Sequence, residues 1–213
     1  MVIMKIDFDN TDTYPIEIMK YALENKFEDY NETNFDVHVP KFFYDILDKY
    51  DFIVYHCTRT VNINSFKENG ILIPKDKKLK KILFEETNGC DINDVGEFEL
   101  GRGLDIQFVF SYEEICNDKQ YENFFNHIGG EIIEFTNKYN RRKLEKGNCY
   151  IIKFLIKGSE ILYKKWLVQK MIRRVKFGTI IDFSGSVTHS IAREKILEYI
   201  EADNIYKKLK EMN

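Results

Sequence analysis

The heptapeptide DFIVYHC at residues 51–57 constrains the fold more than any other part of the chain. Its aromatic and β-branched residues alternate, so Phe52, Val54 and His56 fall on one face of a strand and Ile53, Tyr55 and Cys57 on the other. Both faces are largely apolar, which predicts a strand in the middle of a sheet. VNINSFKENG follows at once and reads as a short helix, with Asn62 or Asn64 as cap, Phe66 facing inward and Gly70 closing its end.

Around this centre the expected elements come without regular alternation. VIMKIDF reads as a strand, TYPIEIMKYALENKF as a helix with Thr13 as its cap, and KFFYDILDKY as a second helix after Pro40. Residues 75–104 hold a possible helix, KDKKLKKILFEETNG, then a turn-rich run that ends in LGRG. LDIQFVF resumes strand character, and SYEEICNDKQYENFFNHI reads as a helix capped by Ser111 and broken by GGE. NCYIIKFLI and GTIIDF read as strands, and VTHSIAREKILEYIEADNIYKKLKEM as one long C-terminal helix. A doubly wound parallel sheet needs strands and helices to alternate, so the class is α+β.

Composition bounds the function. The chain has 213 residues, 44% of them hydrophobic and 15% aromatic, enough for a substantial core. No run of 18 apolar residues and no signal-peptide pattern are visible, so the protein is expected to be soluble and cytoplasmic, with no membrane partner. Cys57, Cys90, Cys116 and Cys149 form no CxxC pair, which points to reduced thiols. His38 and His127 lack partners at ligand spacing, and no metal site is expected. Neither G-x-G-x-x-G nor a P-loop occurs.

Charge is uneven along the chain. The net charge is -3, yet residues 141–213 carry 17 Lys+Arg against 8 Asp+Glu. NRRK, YKKW and IRRVK make a phosphate-bearing partner conceivable, while a solvated lysine-rich helix surface explains the same residues.

Three strings put polar groups where strands meet turns: YHCTR at 55–59, FVFSYEE at 108–114 and HIGGEIIEF at 127–135. Together they resemble the NAD-binding core of the ADP-ribosyltransferase superfamily, in its His-Tyr-Glu branch, which includes the diphtheria-toxin-like and poly(ADP-ribose)-polymerase-like enzymes. The resemblance covers roughly residues 51–163. It implies a split, mostly antiparallel sheet with flanking helices in a single domain: an N-terminal α/β segment over 1–50, the NAD-binding core over 51–163, and a basic extension over 164–213.

By that resemblance His56 holds a ribose hydroxyl of NAD, for which a neutral imidazole that both donates and accepts is suited. Cys57 stands where the family often has glycine, with its side chain opposite to His56 and its backbone toward the nicotinamide amide. Thr58 supports the strand end or the ligand. Arg59 meets a phosphate or is an exposed strand-end cation. Tyr112 stacks on nicotinamide, with Phe110 as rival and core packing as the alternative for either ring. Glu131 is the catalytic carboxylate, which stabilises positive charge developing on the ribose, or else an exposed residue after a glycine helix stop. Glu134 is a weaker candidate. Glu113 and Glu114 read as ordinary first-turn helix acids. Arg102 clasps the pyrophosphate or sits in a plain turn.

The implied reaction is transfer of ADP-ribose from NAD, as substrate, to a protein or nucleic acid. The alternative is a nucleotide-binding module or interaction protein on the same fold without turnover. Ser186, Thr188 and His189 suggest a nucleophile pair, but they read better as caps at a helix start, and no G-x-S-x-G elbow accompanies them.

Overall fold

In the computed structural model, β2 (Asp51–Thr60) is the ten-residue strand on which the sheet is built. The structure describes residues 4–25, 39–60, 62–73, 105–122, 125, 147–178 and 183–212. The other strands are β1 (Lys5–Ile6), β3 (Ile106–Val109), β4 (Asn148–Lys157), β5 (Ser184–Val187) and β6 (Ile196–Glu201). The helices are α1 (Ile16–Glu24), α2 (Phe42–Leu47), α3 (Ile63–Asn69), α4 (Tyr112–Asn117), α5 (Lys164–Phe177) and α6 (Asp203–Glu211).

The class is α+β. The sheet runs β5-β3-β2-β4-β6, with β1 beside β2, so β2 is central as its two apolar faces require. β1 pairs with β2 in parallel through Lys5 with Asp51 and Ile6 with Phe52. β3 is antiparallel to β2 at Tyr55 and Val109. β6 is antiparallel to β4 from Tyr150 with Glu201 to Phe154 with Ile196, with a register shift at Lys153/Phe154.

The chain divides into two compact units: Met1–Tyr55, Val109–Ile115 and Leu155–Gly185 in the first, and His56–Phe108, Cys116–Phe154 and Ser186–Asn213 in the second. In the first, Ile18 and Ala22 of α1 lie one helical turn apart and face α5, which buries Leu167, Val168, Met171 and Ile172 as a stripe. Phe110 sits among Phe8, Phe52 and Phe183 with ring centroids 5.1–6.0 Å apart. Each such ring contributes roughly 1.5–3 kcal/mol on burial.

In the second unit Phe108 meets Phe154 edge to face at 6.1 Å. α6 is anchored there by its own first residue, since Asp203 accepts the Cys149 N–H at 2.9 Å. Lys208 donates to the Cys116 carbonyl at 2.9 Å and to Asn117 Oδ1, which satisfies acceptors at the end of α4.

Four local expectations change. The helix expected to run from Ser111 to GGE stops at Asn117, and residues 118–120 are not helical. The long helix expected over 187–212 is a 3-10 turn at Arg193–Lys195, strand β6 and the nine-residue α6. Ile196, Tyr199 and Ile200 have spacings of three and four that fit a helix, but antiparallel pairing with β4 along Tyr150–Phe154 gives this segment a backbone ladder instead. Thr13 does not cap α1: its Oγ1 accepts the Asp7 N–H at 2.9 Å, and Pro15 occupies the cap position. The segment with Ser186, Thr188 and His189 is β5 and a turn, and no helix starts there.

Asn62 does cap α3, accepting the Ser65 N–H, and Gly70 ends it. Ser111 caps α4, its Oγ accepting the Glu114 N–H at 3.1 Å. The possible helix after residue 75, LGRG, GGE and most of GTIIDF lie outside the described residues.

Candidate functional site

β2 carries His56, Cys57 and Thr58 in succession, all buried, with His56 only 7% exposed. His56 donates its Nδ1–H to the carbonyl of Gln107 at 2.8 Å. A carbonyl only accepts, so this bond fixes the tautomer and leaves Nε2 as an acceptor. Burial pushes the imidazole pKa below its usual value and outweighs the opposing effect of the Gln107 bond. His56 is therefore a neutral ring near pH 7. Among the described residues Nε2 has no hydrogen-bond partner.

Burial also dominates at Cys57, whose thiol is pushed far above its ordinary range, with smaller contributions from Cys116 and Cys149. Such a thiol is not a nucleophile at neutral pH. Arg59 is neither exposed nor simply waiting for a phosphate. Its Nε and Nη2 donate to the Gly147 carbonyl at 3.4 and 3.3 Å, and the guanidinium lies 5.1 Å above the Tyr206 ring.

The two aromatic candidates differ in access. Phe110 is 1% exposed and enclosed by three other rings, so its role is packing. Tyr112 is half-buried at the first position of α4, with its ring 5.6 Å from that of Tyr55 and tilted by 45°. Of the pair, Tyr112 has the accessible face.

Tyr112 is positioned by a network that sequence reasoning missed. The Asp9 carboxylate accepts the N–H of Tyr112 at 2.7 Å and of Glu113 at 3.2 Å, and its other oxygen accepts the Ser111 hydroxyl. A carboxylate from outside the helix thus meets the positive end of α4 and its unsatisfied donors. Arg174, whose side chain is 10% exposed, donates to the Asp9 carbonyl at 3.2 Å and pairs with Glu113 at 2.9 Å. Glu113 and Glu114 are first-turn acids of α4, as expected; Glu113 is exposed and pairs with Arg174, and Glu114 is buried. No local motif announces Asp9, because its partners lie more than a hundred residues along the chain. Asp9, Thr11 and Arg174 also line an open cleft of about 400 Å³, together with Met19, Leu23, Val175 and Gly178.

Glu131, Arg102 and Glu134 lie outside the described residues. Ser186 donates to Asp105 at 3.4 Å, and Ser190 accepts the Ile73 N–H at 3.2 Å. Both hydroxyls are thereby tied to structural partners. Among the described residues no group of three or more His, Cys, Asp or Glu side chains could hold a metal ion, and no helix is long and apolar enough to cross a membrane.

No family model, curated protein or solved structure matches the chain.

Proposed function

We propose that the protein transfers ADP-ribose from NAD to a macromolecular acceptor, protein or nucleic acid, with release of nicotinamide. The observation that carries this reading is His56: a neutral imidazole in the middle of the central strand β2, with one nitrogen committed to Gln107 and the other an acceptor. That pattern suits a ribose hydroxyl, which donates to Nε2. The similarity of the YHCTR, FVFSYEE and HIGGEIIEF strings to the His-Tyr-Glu ADP-ribosyltransferases supplies the rest.

In the proposed reaction the bond between ribose C1′ and the nicotinamide nitrogen breaks, and its electron pair leaves with nicotinamide. An acceptor oxygen or nitrogen forms the new bond to C1′ and gives up its proton. Glu131 stabilises the positive charge that develops on the ribose and assists that deprotonation. The half-buried Tyr112 ring stacks on nicotinamide, held by the Asp9 cap beneath it. Arg102 pairs with the pyrophosphate, and Thr58 and the backbone at Cys57 line the strand end.

Cys57 in place of glycine favours one other reading, a module that binds NAD without turning it over. Incubation with labelled NAD and cell lysate separates them. Glu131-dependent label lost on nuclease treatment identifies a nucleic-acid acceptor, and label lost on protease a protein acceptor. Saturable NAD binding with neither label nor nicotinamide identifies the binding module.

A further inference from the structure

Arg174 lies in the last turn of α5, and its side chain is nine-tenths buried. Its Nη2 donates to two acceptors at once, the Asp9 carbonyl at 3.2 Å and the Glu113 carboxylate at 2.9 Å. The Asp9 carboxylate in turn accepts the Tyr112 N–H at 2.7 Å and the Glu113 N–H at 3.2 Å. One guanidinium nitrogen therefore ties down both the residue that receives the first N–H groups of α4 and a side chain from its first turn. Tyr112, bonded to Asp9 and next to Glu113 in the chain, is fixed by both. All of these residues belong to the first compact unit.

Stability alone does not call for an arginine here. Its Nη1 is enclosed and has no hydrogen-bond partner among the described residues, and an unpaired buried donor is a cost. A long apolar side chain would fill the same interior without that cost. What the guanidinium adds is a fixed geometry between two acceptors. The Tyr112 ring is half-buried, 5.6 Å from that of Tyr55, so a rotation of the first turn of α4 would change the face it offers.

We propose that Arg174 is a positioning residue for the ring of Tyr112: through Asp9 and Glu113 it sets the first turn of α4, and with it the face on which nicotinamide stacks. This role rests on the transfer of ADP-ribose proposed above. Arg174 touches neither NAD nor the acceptor and acts only through Tyr112.

Nicotinamide release is measured over a range of NAD concentrations for the full chain, for Arg174→Met, Glu113→Ala and Tyr112→Ala, and for the first two combined with Tyr112→Ala. A stacked ring contributes roughly two- to tenfold in affinity. Arg174→Met should raise the KM for NAD by about that factor with a smaller change in kcat, as removal of a ground-state contact does. Glu113→Ala should raise it in the same direction. Added to Tyr112→Ala, neither should raise KM further, because both act through that ring.

Thermal melts establish that each variant is folded, and Glu113, whose side chain is 47% exposed, carries the comparison if Arg174→Met does not fold. If NAD is bound without turnover, its Kd is compared in place of KM. An unmoved KM in the single variants overturns the role of Arg174 while the transferase stands, and so do effects that multiply with that of Tyr112→Ala. A wild type that neither binds nor cleaves NAD overturns the transferase itself, and this role with it.

Discussion

His56 reaches from β2 to the Gln107 carbonyl with a 2.8 Å hydrogen bond that fixes its tautomer, and burial, which outweighs the opposing effect of that bond, keeps the ring neutral. Folding therefore suppresses protonation of this residue. In the unfolded chain the imidazole titrates near pH 6.5. Above that pH both states are neutral and stability is unaffected. As the pH falls through about 6.5, the unfolded chain takes up a proton that the native state refuses, so stability declines until the lowered native pKa is reached. His56→Asn keeps a donor for Gln107 and removes the titration. Its unfolding midpoint should fall less between about pH 6.5 and pH 5 than that of the wild type, as read by urea titrations at each pH. Equal slopes would contradict a neutral, buried His56.

Asp9 joins three donors at the start of α4 to Arg174. Asp9→Ala removes the acceptor from all of them and leaves a largely buried guanidinium with fewer partners. The expected cost is about 3 kcal/mol in chemical denaturation. Asp9→Asn retains an oxygen for the Tyr112 N–H and should cost less. A cost under about 0.5 kcal/mol for the alanine variant, the range of ordinary surface substitutions, would show that the network is dispensable.

Gly70 and Gly178 both have positive φ, 78° and 66°, yet they should respond differently to alanine. At Gly70 an added Cβ would lie 2.0 Å from the Ile191 carbonyl oxygen, against the backbone of the Ile71–Ile191 bridge. At Gly178 nothing lies within 4 Å. Gly178→Ala should cost about 1–2 kcal/mol from the left-handed conformation alone. Gly70→Ala adds a backbone clash and should cost well beyond that, measured by thermal or urea unfolding.

The fold was legible where several local signals coincide. At residues 51–70 an alternating strand, an asparagine cap and a glycine stop all agree, and β2 and α3 form as expected. Residues 196–201 have helical spacing and no period-two alternation, and only the edge of β4, which no local pattern reveals, makes them a strand. The candidate site was legible in the same measure. His56 stands out as a polar residue in an apolar run, but the strand continues past it to Thr60 and its tautomer depends on a carbonyl 51 residues away. Asp9 looks like an unremarkable turn acid until Ser111 and Tyr112 arrive beside it.

The buried thiols supply a further check. Burial pushes Cys149 up to about 11, with Asp203 adding to the rise and Arg59 opposing it, and Cys57 is shifted further in the same direction. At pH 8 about one Cys149 in a thousand is a thiolate, since reactivity follows the thiolate fraction. Iodoacetamide should leave Cys57 and Cys149 unmodified in the native protein and label both in denaturant, as peptide mass spectrometry would record. Rapid native labelling of either would contradict their burial.

Nicotinamide release from NAD by the purified protein, compared with its Glu131→Gln variant, tests the proposed activity most directly. Loss of one preorganised electrostatic group at a developing charge costs about 10²–10³ in rate. The expected result is measurable release by the wild type, a fall of that order in the variant, and NAD binding retained in both. Release that is equal in the two proteins, or absent from both in the presence of acceptor, would contradict the transferase.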